Sequence, residues 1–188
     1  VTVTGTLTAQ SGYAAAVVAK QTSGTVEGCV NHASVKSKMT DKDGSAAGVI
    51  GWYAGGTVRD CKNYGKIEKQ HCAGGVIGYM SAADAMGLTN YGEVSGKTET
   101  GGVVGYLHLT SGSNMNLDFT NEGKVTGTDN VGGVFGNFTV VGYNTQTLVV
   151  NLLTNKGAVT GENQVGGIFG YFDAYATNYS SSILTATL

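Results

Sequence analysis

Apolar and polar positions in this chain recur as a block, with no helical or simple hairpin period. The block is clearest in NEGKVTGTDNVGGVFG, from Asn121 to Gly136, and copies of it begin at Asn31, Asn63, Asn90, Asn121 and Asn155. The spacings of 32, 27, 31 and 34 residues are those of a supersecondary repeat. In the four best copies the apolar residue at the fifth position (Ile67, Val94, Val125, Val159) stands eight residues before the second glycine of a pair (Gly75, Gly102, Gly133, Gly167). The variable lengths therefore fall outside this segment.

Each block predicts three strands. The first runs into the asparagine, with Cys29, Cys61, Leu88, Phe119 or Leu153 two positions before it. The second surrounds Val35, Ile67, Val94, Val125 and Val159, where strict alternation puts the apolar residue on one face. The third follows the glycine pair, as in VIGYM, VVGYL, VFGNF and IFGYF. Two apolar residues are adjacent there, so periodicity does not choose the inward one. Between the blocks lie KSKMTDKDGSA, MSAADA and TVVGYNTQT, read as loops or lengthened strands; Ala82 to Met86 could form a short helical turn.

A three-stranded unit of this size cannot bury its apolar face alone, so it must stack on its neighbours. The expected fold is all-β: a parallel β-helix of about five to six coils with three strands per coil, right-handed by the crossover preference, with a flatter roll or sandwich as runner-up. Residues 1–188 form one solenoid domain, with repeat cores near 31–52, 63–79, 90–106, 121–137 and 155–171, a degenerate coil at 1–20 and a terminal strand at 180–188. Stacking turns Asn31, Asn63, Asn90, Asn121 and Asn155 into a column whose amides can bond both to the local turn and to one another. Both ends read as strands without a polar cap, which suggests part of a longer protein or assembly and would allow end-to-end stacking into a filament.

The pattern N-x-G-x-V-x-G followed by V-G-G-V-x-G resembles the GLUG repeat of bacterial extracellular proteins, among them adhesin-like surface proteins and non-catalytic regions of IgA-specific metallopeptidases. The likeness covers Asn31 to Tyr171, with Ala33 and Ala47 replacing glycines in the first copy. It implies an exported bacterial protein located outside the cell or on its surface, and implies no catalytic residue.

Composition supports this picture. The 188 residues include 31 glycines and no proline, as expected of stacked strands that each need their N–H groups. Net charge is −2 and the lysines are scattered, which argues against nucleic-acid binding; no apolar run is long enough to span a bilayer. The three cysteines lack metal-ligand spacing, so no metal or cofactor is expected; Cys29 and Cys61 occupy one repeat position, as a buried pair or as a disulfide between coils.

Chemistry is sparse. No cluster of acids suggests a glycosidase or lyase, although a carbohydrate-active β-helix stays as the competing class. Asp41 and Asp43 read as a solvated loop or a cation site; Glu99, Asp129 and Glu162 read as turn residues or a ligand edge. His71 and Cys72 are adjacent and so point to opposite faces. Lys66, Glu93 and Lys124 would form an alternating outer column, and Glu27 would meet Arg59. Trp52, Tyr79, Tyr106 and Tyr171 share one position, interrupted by Asn137, and form either core or a surface that holds a glycan by ring contacts. The expected role is a non-enzymatic structural or adhesive module whose partner is a host or matrix glycan or protein, or another copy of itself.

Overall fold

The computed structural model describes residues 1–40, 44–110, 115, 117–142, 146–149, 152–176 and 184–187. Every regular element among them is a strand, and every strand pairing is parallel. Four ladders, each six strands deep, run along the molecule, so the chain winds about five times from the first rung to the last. It is a parallel β-solenoid.

The first ladder carries the asparagines, from Thr2–Val3 through Lys62–Asn63 to Leu153–Asn155. The second carries the valine position, from Thr6–Ala9 to Val159–Thr160. The register matches the repeat alignment, with Leu7, Val35, Ile67, Val94, Val125 and Val159 in one column. Residues 1–20 thus make a complete coil, with Ala14 and Ala15 aligned on Ala46 and Ala47. Three shorter strands, Thr25–Glu27, Thr57–Arg59 and Ala85–Met86, add a partial ladder, so the predicted helical turn at Ala82 to Met86 is a strand end packed beside Val58. The terminal segment pairs Leu184–Thr187 with Gln146–Val149.

The coil has one more ladder than the three predicted. Residues read as a turn before the glycine pair, such as His71–Gly74 and Thr98–Gly101, form strands of their own. Alternation fails there because Cys72, Glu99, Asn130 and Gln164 take left-handed backbone angles, with φ of 53°, 54°, 50° and 52°. The ladder after the glycine pair skips a residue too: Ile77 pairs with Val104 and Tyr79 with Tyr106, leaving Gly78 and Gly105 unpaired. The side-chain phase shifts at that glycine, so Ile77 and Met80 both point inward and Tyr79 points out. This is why two neighbouring apolar residues gave no answer from periodicity. The two irregularities touch, since a Cβ on Gly105 would lie 2.9 Å from the Cys72 carbonyl carbon.

Two cores fill the coil. A small one holds Val35, Ile67 and Val94 against Ala14, Ala46 and Ala73. A large one holds Ile50, Ile77, Val104 and Phe135 with Leu88 and Phe119. Between them the asparagine column presses on the glycine pairs. Each inner asparagine amide uses its full hydrogen-bonding capacity: Asn90 Nδ2 donates to Asn121 Oδ1 and to the Gly92 carbonyl, both at 2.8 Å, while its Oδ1 accepts from Asn63 Nδ2 at 2.7 Å and from the Gly92 N–H at 3.2 Å. The facing surface must be flat. A Cβ on Gly75 would stand 2.4 Å from Asn90 Cγ and 2.1 Å from the Gly102 carbonyl oxygen. Asparagine and glycine pair are therefore complementary halves of one buried waist.

Candidate functional site

The outward position created by the phase shift forms a column of Lys20, Trp52, Tyr79, Tyr106, Asn137 and Tyr171, one residue per rung. The four aromatic residues predicted to share a position do so, and Asn137 interrupts them as expected. The rings lie between core and open surface: Trp52, Tyr79 and Tyr106 are half-buried, and Tyr171 is exposed. Successive rings pack at 6.1 Å and 5.3 Å between centroids, Tyr13 covers one side of Trp52 at 5.2 Å, and the Lys20 ammonium sits 3.9 Å from the Trp52 ring centre. Trp52 Nε1 donates to Ser81 Oγ at 3.0 Å, which fixes the indole plane.

Beside this strip runs the column of left-handed residues, of which Cys72 is buried, Glu99 and Asn130 are partly buried and Gln164 is exposed. Tyr13, Gly44, Cys72, Tyr79, Glu99 and Tyr106 enclose a depression of about 320 Å³. The Cys72 thiol donates to Glu99 Oε2 at 2.7 Å across neighbouring rungs. Burial, followed by the charge of Tyr106 and Cys72, pushes the Tyr79 hydroxyl above its usual range; burial and then the Glu99 carboxylate do the same to Tyr106. Both phenols stay neutral and able to donate. The depression thus offers the ring faces and hydroxyls of three tyrosines and one carboxylate, a set suited to a polar ring with apolar CH faces.

The other expected residues are placed as follows. His71 Nδ1 bonds Thr98 Oγ1 while Cys72 bonds Glu99, so the two adjacent residues serve different neighbours. Asp129 Oδ1 accepts from Asn163 Nδ2 at 2.8 Å, and Glu162 lies on the exposed turn. Asp41 and Asp43 lie outside the described residues. Cys29 and Cys61 sit on adjacent rungs of the large core as thiols, and burial pushes Cys61 up to about 11. Lys66 reaches Glu93 at 3.9 Å and also Glu68 at 3.2 Å. Arg59 is aligned with Glu27, but its guanidinium is 3.7 Å from Asp84 on the other side, so the expected Glu27 pair gives way to that one. Among the described residues no three His, Cys, Asp or Glu side chains gather as a metal site.

The structure adds a second aromatic column that the sequence reading missed. His32, Tyr64 and Tyr91 stack nearly parallel at 4.8 Å and 4.6 Å on the outside of the asparagine ladder. On the next two rungs the same position holds Glu122 and Lys156, joined at 2.9 Å. The signal was present in the residue after each asparagine, which reads His, Tyr, Tyr, Glu, Lys.

No family model, curated protein or solved structure matches this chain. No helix among the described residues is long and apolar enough to cross a membrane.

Proposed function

We propose that this chain is a non-enzymatic structural and adhesive module of an exported bacterial surface protein, related to the GLUG-repeat proteins, that displays a glycan-binding aromatic strip. The observation that carries the reading is the in-register row of Trp52, Tyr79 and Tyr106, half-exposed beside the Glu99 depression. A solenoid is a stiff spacer, and an array of rings one rung apart gives a polymer repeated contacts along the same axis. The test is a glycan array on the purified chain with Tyr79→Ala and Tyr106→Ala alongside. Saturable binding lost in both variants is the expected result; binding by wild type and both variants alike, or by none of the three, removes the strip from the account.

A further inference from the structure

We propose a second binding site, an anion-binding groove for an acidic polysaccharide, on the outer face of the valine ladder and the turn that follows it. The groove has a volume of about 610 Å³, and Lys36, Lys38, Lys69 and Lys97 line it together with Glu68. Among the described residues four lysines thus meet one acid in one place, while the chain as a whole carries −2. That asymmetry is built by the register. Lys36 is aligned with Glu68 one rung on, and the Lys97 N–H bonds the carbonyl of Gln70, so the lysines fall on three consecutive rungs.

The charges are held rather than scattered. Lys69 is 3% exposed and its ammonium donates to the Met39 carbonyl at 3.1 Å, which fixes its stem along the groove floor. Glu68 is shared between Lys36 at 3.5 Å and Lys66 at 3.2 Å. Burial works against its charged form, but the hydrogen bond and charge of Lys66, then those of Lys36, hold the carboxyl below its usual range. The ammonium groups of Lys38 and Lys97 have no carboxylate within ion-pair distance among the described residues. They supply the free positive charge.

The remaining lining selects the class of anion. Ser37, Gln70, Ser95 and Thr128 add hydroxyl and amide groups, and among the described residues no aromatic ring lines the groove. Single-stranded nucleic acid is held by ring stacking as well as charge, so this lining does not suit it. Sugar carboxylates or sulfates with neighbouring hydroxyls do suit it, and rungs about 4.8 Å apart set the lysines at intervals close to one sugar unit of an extended chain. The site is independent of the aromatic strip, though both belong to the adhesive reading.

The experiment measures binding of polygalacturonate, dextran sulfate and neutral dextran to the full chain, at low salt and at physiological ionic strength. Both acidic polymers are expected to bind, the neutral one not, with affinity falling as salt rises. A Lys38→Gln/Lys97→Gln double variant should lose about tenfold in affinity with an unchanged melting temperature. A Lys62→Gln/Lys124→Gln double variant removes the same charge elsewhere and should bind within about twofold of wild type. Equal losses in the two doubles would show general charge attraction and overturn the site, as would binding of an oligothymidylate as tight as that of polygalacturonate. Tyr79→Ala and Tyr106→Ala should leave the acidic polymers bound. Loss there, with the lysine double silent, would assign the anion to the aromatic strip and reject the groove; retention identifies the two sites as separate.

Discussion

Two columns run the length of the same stack in the same register, and they differ in how much variation they accept. The buried column is asparagine on five consecutive rungs, from Asn31 to Asn155. The outward column, half a coil away, reads Lys20, Trp52, Tyr79, Tyr106, Asn137 and Tyr171. Inside, the amides of Asn63, Asn90 and Asn121 are each fixed by four bonds, and any other side chain there leaves buried partners unsatisfied. Outside, a residue need only cover the rung below it. Repetition in a solenoid therefore marks what holds the coil, and departure from repetition marks where recognition can be placed.

The sharpest way to break this comparison is at the waist. A Cβ on Gly133 would sit 2.0 Å from the Gly167 carbonyl oxygen and 2.4 Å from Asn155 Cγ, whereas one on Gly167, at the same repeat position, meets nothing within 4 Å. Gly133→Ala should cost about 4 kcal/mol or prevent folding, and Gly167→Ala should stay within about 0.5 kcal/mol. Chemical denaturation of the two variants checks this, and equal effects would discard the complementary-waist account. Next in size is Asn90→Ala, which orphans an Asn63 N–H and the Gly92 backbone pair; a loss of about 3 kcal/mol is expected in urea.

Alkali probes the large core. The Tyr53 hydroxyl, close to the Gly56 and Asp84 carbonyls at 2.6 and 2.7 Å, is raised to about 12 by burial first and the Asp84 charge second, and Cys61 is raised to about 11. Both groups are favoured in their neutral forms by folding. Their contribution is complete below the unfolded values of 9.0 for the thiol and 10.0 for the phenol, and it is lost as pH rises through about 11 and 12. The urea midpoint should therefore be flat up to about pH 9 and then fall, less steeply above pH 10 in Tyr53→Phe. Smallest of all, Tyr106→Ala should change stability by about 1 kcal/mol while abolishing glycan binding, and Lys66→Ala should cost at most about 0.5 kcal/mol, vanishing in high salt.

The stacking, the register and the asparagine column were legible from sequence because each depends on one residue recurring at one position. The fourth ladder was not, since Cys72, Glu99, Asn130 and Gln164 share a backbone angle and no side-chain chemistry. The exposure of the tyrosines was hidden for the same kind of reason: the phase shift at Gly78 and its equivalents reverses the inward face, and only pairing reveals it. The depression by Glu99 combines residues from four rungs, among them Tyr13 and Gly44, that no single repeat contains. The role of the glycine pairs, by contrast, could have been inferred from their constant distance to the asparagines, had the two been read as facing halves of one layer.

The inter-rung hydrogen bonds lie along the long axis of the stack, and this gives the protein a mechanical character. Tension applied between its two ends pulls on one layer of those bonds at a time, so the solenoid opens like a zip and does not stretch as a whole. Consecutive rungs are separated by 27 to 34 residues of chain. Each rung that opens therefore releases about 100 Å of extended polypeptide. A tether of this kind lengthens in steps under load, absorbing work at each step while the unopened rungs keep their grip.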